Sequence, residues 1–333
     1  MAQDEARTDR RDALIRLLQL GGLSAGTAAC AWWLSRRREP AEEPVATAVR
    51  HDFHLPADAA HPDLAVSQGG EPAQLVRRAI HDLGGIERFI SRGDAVVIKP
   101  NMAWDRAPEQ AANTNPAVVA EMVRLCREAG AKSVVVTDVS IHDARRVFER
   151  SGIAAAAQAA GATVLLPEPR QFATVDLRGE VLGVWPVFKP FLDADKLINM
   201  PVAKHHSLTG VSLGIKNWYG ILGGERRRLH QRIHECLADL AVFMRPTLTV
   251  LDAWRVMLRN GPTGGDPEDT VLAKTVIAGT DPVALDAWAA RAWWKQEPSA
   301  LPYLTLAAAR GVGTTEFDKL RIEVSQCCAP PSS

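Results

Sequence analysis

Lys196-Leu-Ile-Asn-Met-Pro-Val-Ala-Lys204-His-His206-Ser-Leu-Thr209-Gly-Val-Ser-Leu-Gly-Ile-Lys216-Asn217-Trp-Tyr-Gly220 puts three lysines, two histidines, two asparagines and a threonine into a stretch whose remaining residues are those of a protein interior. Residues 197–202 form a short apolar run ending at polar groups. That pattern reads as a buried strand delivering side chains to the edge of a sheet, with Lys204 and His206 just past the strand's end. Residues 209–222 are apolar and dotted with glycine, with Lys216 and Asn217 in the middle. A lysine in such a setting faces a ligand or pairs with a carboxylate, unless its stem snorkels to solvent.

Outward from this stretch, strand and helix patterns alternate, which predicts an α/β fold with a mostly parallel sheet and helices on both faces. Residues 72–83 read as a helix stopped by Gly84-Gly85, and residues 94–101 as a buried strand ending in Lys99-Pro-Asn101. Asn115-Pro116 supplies an N-cap and a first-turn proline. The helix they start buries Val119, Met122, Val123 and Cys126 on one face and closes at Gly130. Strands are expected at 133–138, 162–166, 247–252 and 274–279, with a closing edge strand within 317–324. Helices are expected at 143–150, 153–160 and 229–244, and from Asp281-Pro282 to Trp294. Asn260-Gly-Pro-Thr-Gly-Gly-Asp-Pro267 reads as a loop; Gly264-Gly265 lacks the Lys-Ser/Thr ending of a phosphate loop.

The 333 residues are enough to bury a sizeable core. With 39 basic and 39 acidic side chains, no basic excess suits the chain to nucleic acid. The five cysteines (Cys30, Cys126, Cys236, Cys327 and Cys328) include no Cys-x-x-Cys spacing, which argues against a cysteine-only iron–sulfur or zinc site. Arg10-Arg11 and Arg16 precede an apolar run at 17–34, and Arg36-Arg37-Arg38 follows it. This pattern reads as a bacterial twin-arginine export signal or an inner-membrane anchor, leaving the domain on the periplasmic side; the alternative is a cytosolic amphipathic tail. The expected organisation is therefore signal or anchor 1–38, linker 39–65, α/β domain 66–325 and tail 326–333.

In a parallel sheet all carboxyl ends lie along one edge, where ligands bind. The strand ends there bring together His206, Lys204 and Asp138 as candidate catalytic groups. Lys99, Asn101, Thr209, Lys216, Asn217, Asp252, Asp281 and Asp286 are the candidate ligand-binding groups. Each has a plainer reading: Asp252 and Asp281 as helix caps, Asp138 as a turn former, Lys99 as an ion-pair partner. Lysines suit an anionic ligand as point charges, and a histidine beside them suits acid–base chemistry or a metal. His230 and His234 have the i, i+4 spacing that can hold a metal, though surface histidines often share it. No cofactor or metal is named by these residues.

Lys99-Pro-Asn101, Asn115-Pro116, Ala129-Gly-Ala131, Asp138, Asn199-x-Pro201-x-x-Lys204-x-His206, Thr209-Gly210, Lys216-Asn217-x-x-Gly220, Asp252, Asn260-Gly-Pro262 and Gly279-x-Asp281-Pro282-x-x-x-Asp286 together resemble domain-of-unknown-function family 362. The resemblance spans residues 66–325 and implies no settled reaction. Members are often described as iron–sulfur-centre proteins, some with ferredoxin-type cysteine clusters that this chain lacks. Many carry twin-arginine signals, which supports export.

The expectation is an enzyme acting on a small anionic molecule, Lys99, Lys204 and Lys216 holding the anion and His206 serving as acid or base. The alternatives are a redox or iron–sulfur-associated partner of another protein, and a non-catalytic solute-binding protein at the membrane.

Overall fold

The computed structural model describes residues 51–56 and 58–327. The twin-arginine-like segment, the apolar run at 17–34 and residues 328–333 lie outside the described residues. In chain order the first half forms β1 (His51–Asp52), β2 (Leu64–Gln68), α1 (Pro72–Asp82), β3 (Ala95–Pro100), α2 (Pro116–Glu128), β4 (Ser133–Val136), α3 (Ala144–Arg150), α4 (Ile153–Ala159), β5 (Thr163–Val164), β6 (Phe172–Asp176) and β7 (Val184–Phe188). The second half forms β8 (Lys196–Met200), β9 (Val202–His206), β10 (Gly210–Ser212), α5 (Gly214–Asn217), α6 (Ile233–Phe243), β11 (Met244–Arg245), β12 (Leu248–Met257), β13 (Thr270–Gly279), α7 (Pro282–Trp294), α8 (Pro302–Ala309) and β14 (Ile322–Gln326).

The fold is α/β, as expected. Its main sheet has the order β14-β2-β13-β12-β8-β3-β4-β5. Along this order the strands run parallel except β13, which is antiparallel to both of its neighbours, β12 and β2. The central strands are apolar at nearly every position because both faces are covered. On β3, Val96 and Ile98 enter the core shared with α1 to α4, while Val97 enters the core shared with α6 to α8. Two caps read from sequence are in place: Asn115 Oδ1 accepts from Ala117 N at 2.9 Å, and Asp281 Oδ1 accepts from Ala284 N at 2.8 Å.

Some boundaries differ from the sequence reading. The strand expected to end at Val202 is interrupted at Pro201 and resumes as β9, which pairs parallel with β12 and antiparallel with β10. Lys204 and His206 therefore lie within a strand and not beyond one. Helix α6 begins at Ile233, after a 3-10 segment over Arg226–Arg232. Strands β12 and β13 are longer than expected, because each continues the other's antiparallel ladder to Met257↔Thr270. The β6–β7 hairpin had no clear sequence signal: Pro186 sits inside β7, a position open to proline at a sheet edge. β2 starts at Leu64, and Phe53 N donates to Arg245 O at 3.0 Å beside the β1–β11 pair, so part of the expected linker lies on the domain. Among the described residues, no helix is long and apolar enough to cross a membrane.

Candidate anion site at the carboxyl edge of the sheet

Alternation along β3 puts Lys99 on the same face as Val97. Its amine is fully buried, 2.7 Å from Asp138 Oδ1, and donates to Asn217 Oδ1 at 3.1 Å and to Pro100 O at 3.2 Å. Asp138 follows the neighbouring strand β4, and its Oδ2 accepts from Met102 N at 2.7 Å. The carboxylate thus joins the two strand-end loops. This ion pair is the plainer reading of Lys99, a carboxylate partner for a buried lysine.

Lys204, on β9, donates to Asn101 Oδ1 at 2.8 Å and Ala112 O at 2.5 Å. Asn101 in turn donates to Asn217 Oδ1 at 2.9 Å. Asn217 Nδ2 donates to Asn199 Oδ1 at 2.8 Å, and Asn199 Nδ2 to Gly214 O at 2.9 Å. The three asparagines form one relay of amides that holds both lysines and ties β3, β8 and α5 together. Asn199 lies opposite Lys99 in the β3–β8 register.

Helix α5 is a single turn, and its position is set from outside. Asp286 of α7 accepts from Gly214 N at 2.7 Å and Ile215 N at 2.9 Å, capping that turn. Gly220 explains the Lys216-Asn217-x-x-Gly220 spacing. A Cβ there would fall 2.1 Å from Asp138 Oδ1 and 2.7 Å from Lys99 Nζ, so only glycine lets the chain pass over the ion pair.

These groups open onto a cavity of about 630 Å³ lined by Lys99, Asn101, Asp138, Lys204, His206, Lys216 and Asn217, with Trp104, Tyr219, Arg226, Arg227 and His230 completing its wall. Lys216 is 8 % exposed, and its amine stands 4.2 Å from the centroid of the Tyr219 ring. Among the described residues the amine has no hydrogen bond or ion pair. Burial, then the nearby Arg226 and Lys99 charges, bring its pKa down to about 7. Burial, then Lys216, likewise holds Lys204 well below the ordinary lysine value. Arg226 is pinned by Val139 O at 2.9 Å and Ser140 O at 2.7 Å, and burial lowers its pKa too.

His206 differs from the acid–base reading. Its Nδ1 accepts from Leu208 N at 3.1 Å, which leaves the ring proton on Nε2. Burial, then Lys216 and Lys204, push its pKa to about 2. The ring is therefore a neutral donor that does not take up a second proton in ordinary conditions.

Four expected ligand-binding residues do not line the cavity. Thr209 Oγ1 donates to Val211 O at 2.8 Å within the β9–β10 turn. Asp252 accepts from Asn115 N at 2.7 Å and Trp254 N at 3.0 Å, with burial raising its pKa to about 6. Asp281 caps α7 and accepts from Thr314 N at 2.9 Å. Asp286 holds α5. Each carboxylate was legible as a strand-end or helix-start group, but backbone amides consume its oxygens. His230 and His234 also diverge: His230 packs on Tyr219 and His234 on Tyr303. Among the described residues, no three metal-ligating side chains gather. The sequence reading missed Arg226, Arg227, Tyr219 and Trp104. The basic run Arg226–Arg228 after Gly223-Gly224 was the available signal for the first two.

A family model described as domain of unknown function DUF362 matches residues 96–291, a range that holds every cavity residue from Lys99 to Thr263. This chain belongs to the DUF362 family. Thylakoid-associated protein sll1697 of Synechocystis sp. is 29 % identical over 227 residues, covering 66 % of this chain and 69 % of that protein. The lactate racemase apoprotein of Thermoanaerobacterium thermosaccharolyticum aligns at 13 % identity and a TM-score of 0.38, over 68 % of this chain and 56 % of that one. A Thermotoga maritima protein aligns at 13 % identity and 0.33, over 72 % and 58 %. Both likenesses are too slight to bear on this DUF362 site.

Proposed function

We propose that this DUF362 protein is an enzyme whose cavity binds a small organic anion. The observation that carries the reading is the charge of the wall. Lys99, Lys204, Lys216, Arg226 and Arg227 face Asp138 and Glu225 alone, five basic against two acidic side chains. A partly enclosed site of this kind concentrates and desolvates an anion. Lys99 and Lys204 are already engaged, while Lys216, Arg227 and the His206 Nε2–H are the groups left to meet a ligand.

The test is calorimetric titration of the full chain with acetate, malonate and inorganic phosphate. At least one should bind, more weakly as salt rises. An anion beside Lys216 raises that amine's pKa, so binding takes up a proton and affinity falls as pH rises through about 7. Arg226 and Lys99 face the amine with like charge, Lys204 is itself held well below the ordinary lysine value, Asp138 is paired with Lys99, and His206 stays neutral throughout this range. Failure of all three anions to bind at pH 6 and low salt would end the proposal.

A place at a membrane, by export or anchoring, is part of the same proposal. The name of the Synechocystis protein puts that relative at a membrane, and the arginine-flanked apolar run at 17–34 suits one here. Fractionation of the full chain and of an Arg10→Lys, Arg11→Lys variant checks it; soluble cytosolic protein in both cases would refute it.

A further inference from the structure

The three cavity lysines are not equivalent. Lys99 is committed to Asp138, Asn217 and a carbonyl, and Lys204 to Asn101 and a carbonyl. Lys216 alone among them stands against an aromatic face with no acceptor for its protons among the described residues. Its backbone is held by the Asp286 cap at the start of the same turn. An amine fixed in a cavity, without an acceptor and ringed by cations, is arranged to be a base or a nucleophile rather than an ion-pair partner.

Resting on the anion-site reading, we propose that Lys216 is a nucleophile which condenses with the carbonyl carbon of a small oxo acid to give a Schiff base, while the surrounding cations hold the acid's carboxylate. The nitrogen lone pair forms the C–N bond as the carbonyl π bond breaks, and one of the two amine protons passes to the carbonyl oxygen. The resulting hydroxyl then takes the second amine proton and leaves as water as the nitrogen lone pair forms the C=N bond, so amine and carbonyl become imine and water with no change of oxidation state. His206, with its proton on Nε2, is the neutral hydrogen-bond donor in the cavity wall suited to the carbonyl oxygen. With its pKa brought to about 7 by burial, Arg226 and Lys99, Lys216 is about half unprotonated at pH 7, whereas an ordinary lysine is so at about three parts in ten thousand.

The full chain is incubated at pH 7 with glyoxylate or pyruvate and sodium cyanoborohydride, which reduces an imine to a stable secondary amine, and the adduct is mapped by peptide mass spectrometry. Lys216 should be labelled at least about tenfold faster than the exposed Lys132 and Lys189. Excess acetate should suppress the labelling, and Lys216→Met and Lys216→Arg should lack it. Mapping on the unaltered chain decides the matter even where a variant fails to fold. Equal labelling of Lys216 and the surface lysines, or no adduct, overturns the nucleophile. If acetate, malonate or phosphate still binds in calorimetry, the anion site survives that result; if none of the three binds and no adduct forms, both readings fall.

Discussion

In the unfolded chain Lys216 keeps its proton to about pH 10, whereas in the folded protein burial, Arg226 and Lys99 bring its pKa to about 7. Between those values the unfolded state binds more protons, so this group makes stability rise with pH from about 7 to about 10. Below pH 7 the cost of burying the charge is present in full. Lys216→Met should therefore stabilise the protein at pH 6, by at most on the order of 5 kcal/mol at ~1.4 kcal/mol per pKa unit, with the gain shrinking towards pH 10. Urea unfolding at pH 6, 8 and 10 measures it, and a difference independent of pH would contradict the placement of this amine. Gly220 makes the second residue-scale case. Its alanine variant would drive a methyl to 2.1 Å from Asp138 Oδ1 and part the buried pair with Lys99. A loss of about 3 kcal/mol or more in urea unfolding is expected, and an unchanged midpoint would mean that the ion pair can yield.

Helix α5 makes only one turn, too short to hold itself in water; the Asp286 carboxylate on α7 holds it through two amides. Burial raises the Asp286 pKa to about 7, an effect that those amides offset only in part. Here the folded state binds more protons between about pH 4 and 7, so this group makes stability fall as pH rises across that window, opposite in sign to Lys216. Asp286→Ala leaves two buried N–H groups without an acceptor, at about 1–3 kcal/mol each. It should also release Lys216, whose amine rides on the same turn. Calorimetry with acetate beside urea unfolding reads both effects; a variant that loses stability but binds acetate unchanged would separate the cap from the site.

At the scale of the whole molecule, one sheet carries two apolar cores. Neighbouring residues of the same strand supply opposite cores, as Val96 and Val97 do on β3, and Leu197 and Ile198 on β8. Neither core can be lost without stripping one face of the shared strands, so the described domain should unfold in one cooperative transition. Far-ultraviolet and near-ultraviolet circular dichroism should give coincident urea curves. In hydrogen exchange the amides of β3 and β8, paired on both sides, should be the last to exchange. Separate transitions for the two spectral regions would show that the cores are independent.

Local chemistry made several features readable from residues alone. The run Ala-Val-Val-Ile before Lys99 needs two covered faces, Asn115-Pro116 starts a helix, and Asp281-Pro282 starts another. Lys99, Asp138, Lys204, His206, Lys216 and Asn217 were also readable as a group, because polar residues at the ends of apolar runs collect along one sheet edge. What sequence could not decide was which polar group meets which. Asp138 and Asp286 look alike as carboxylates at the edges of apolar runs, yet one neutralises a lysine and the other caps a turn 72 residues away. The apolar run ending at Val202 reads locally as a strand end, yet β9 continues to His206 because β12 and β10 supply backbone partners there. Capping, turn and burial preferences act over a few residues and are written in the sequence. Pairing between distant strands and loops depends on register and packing density, which exist only once the chain has closed on itself.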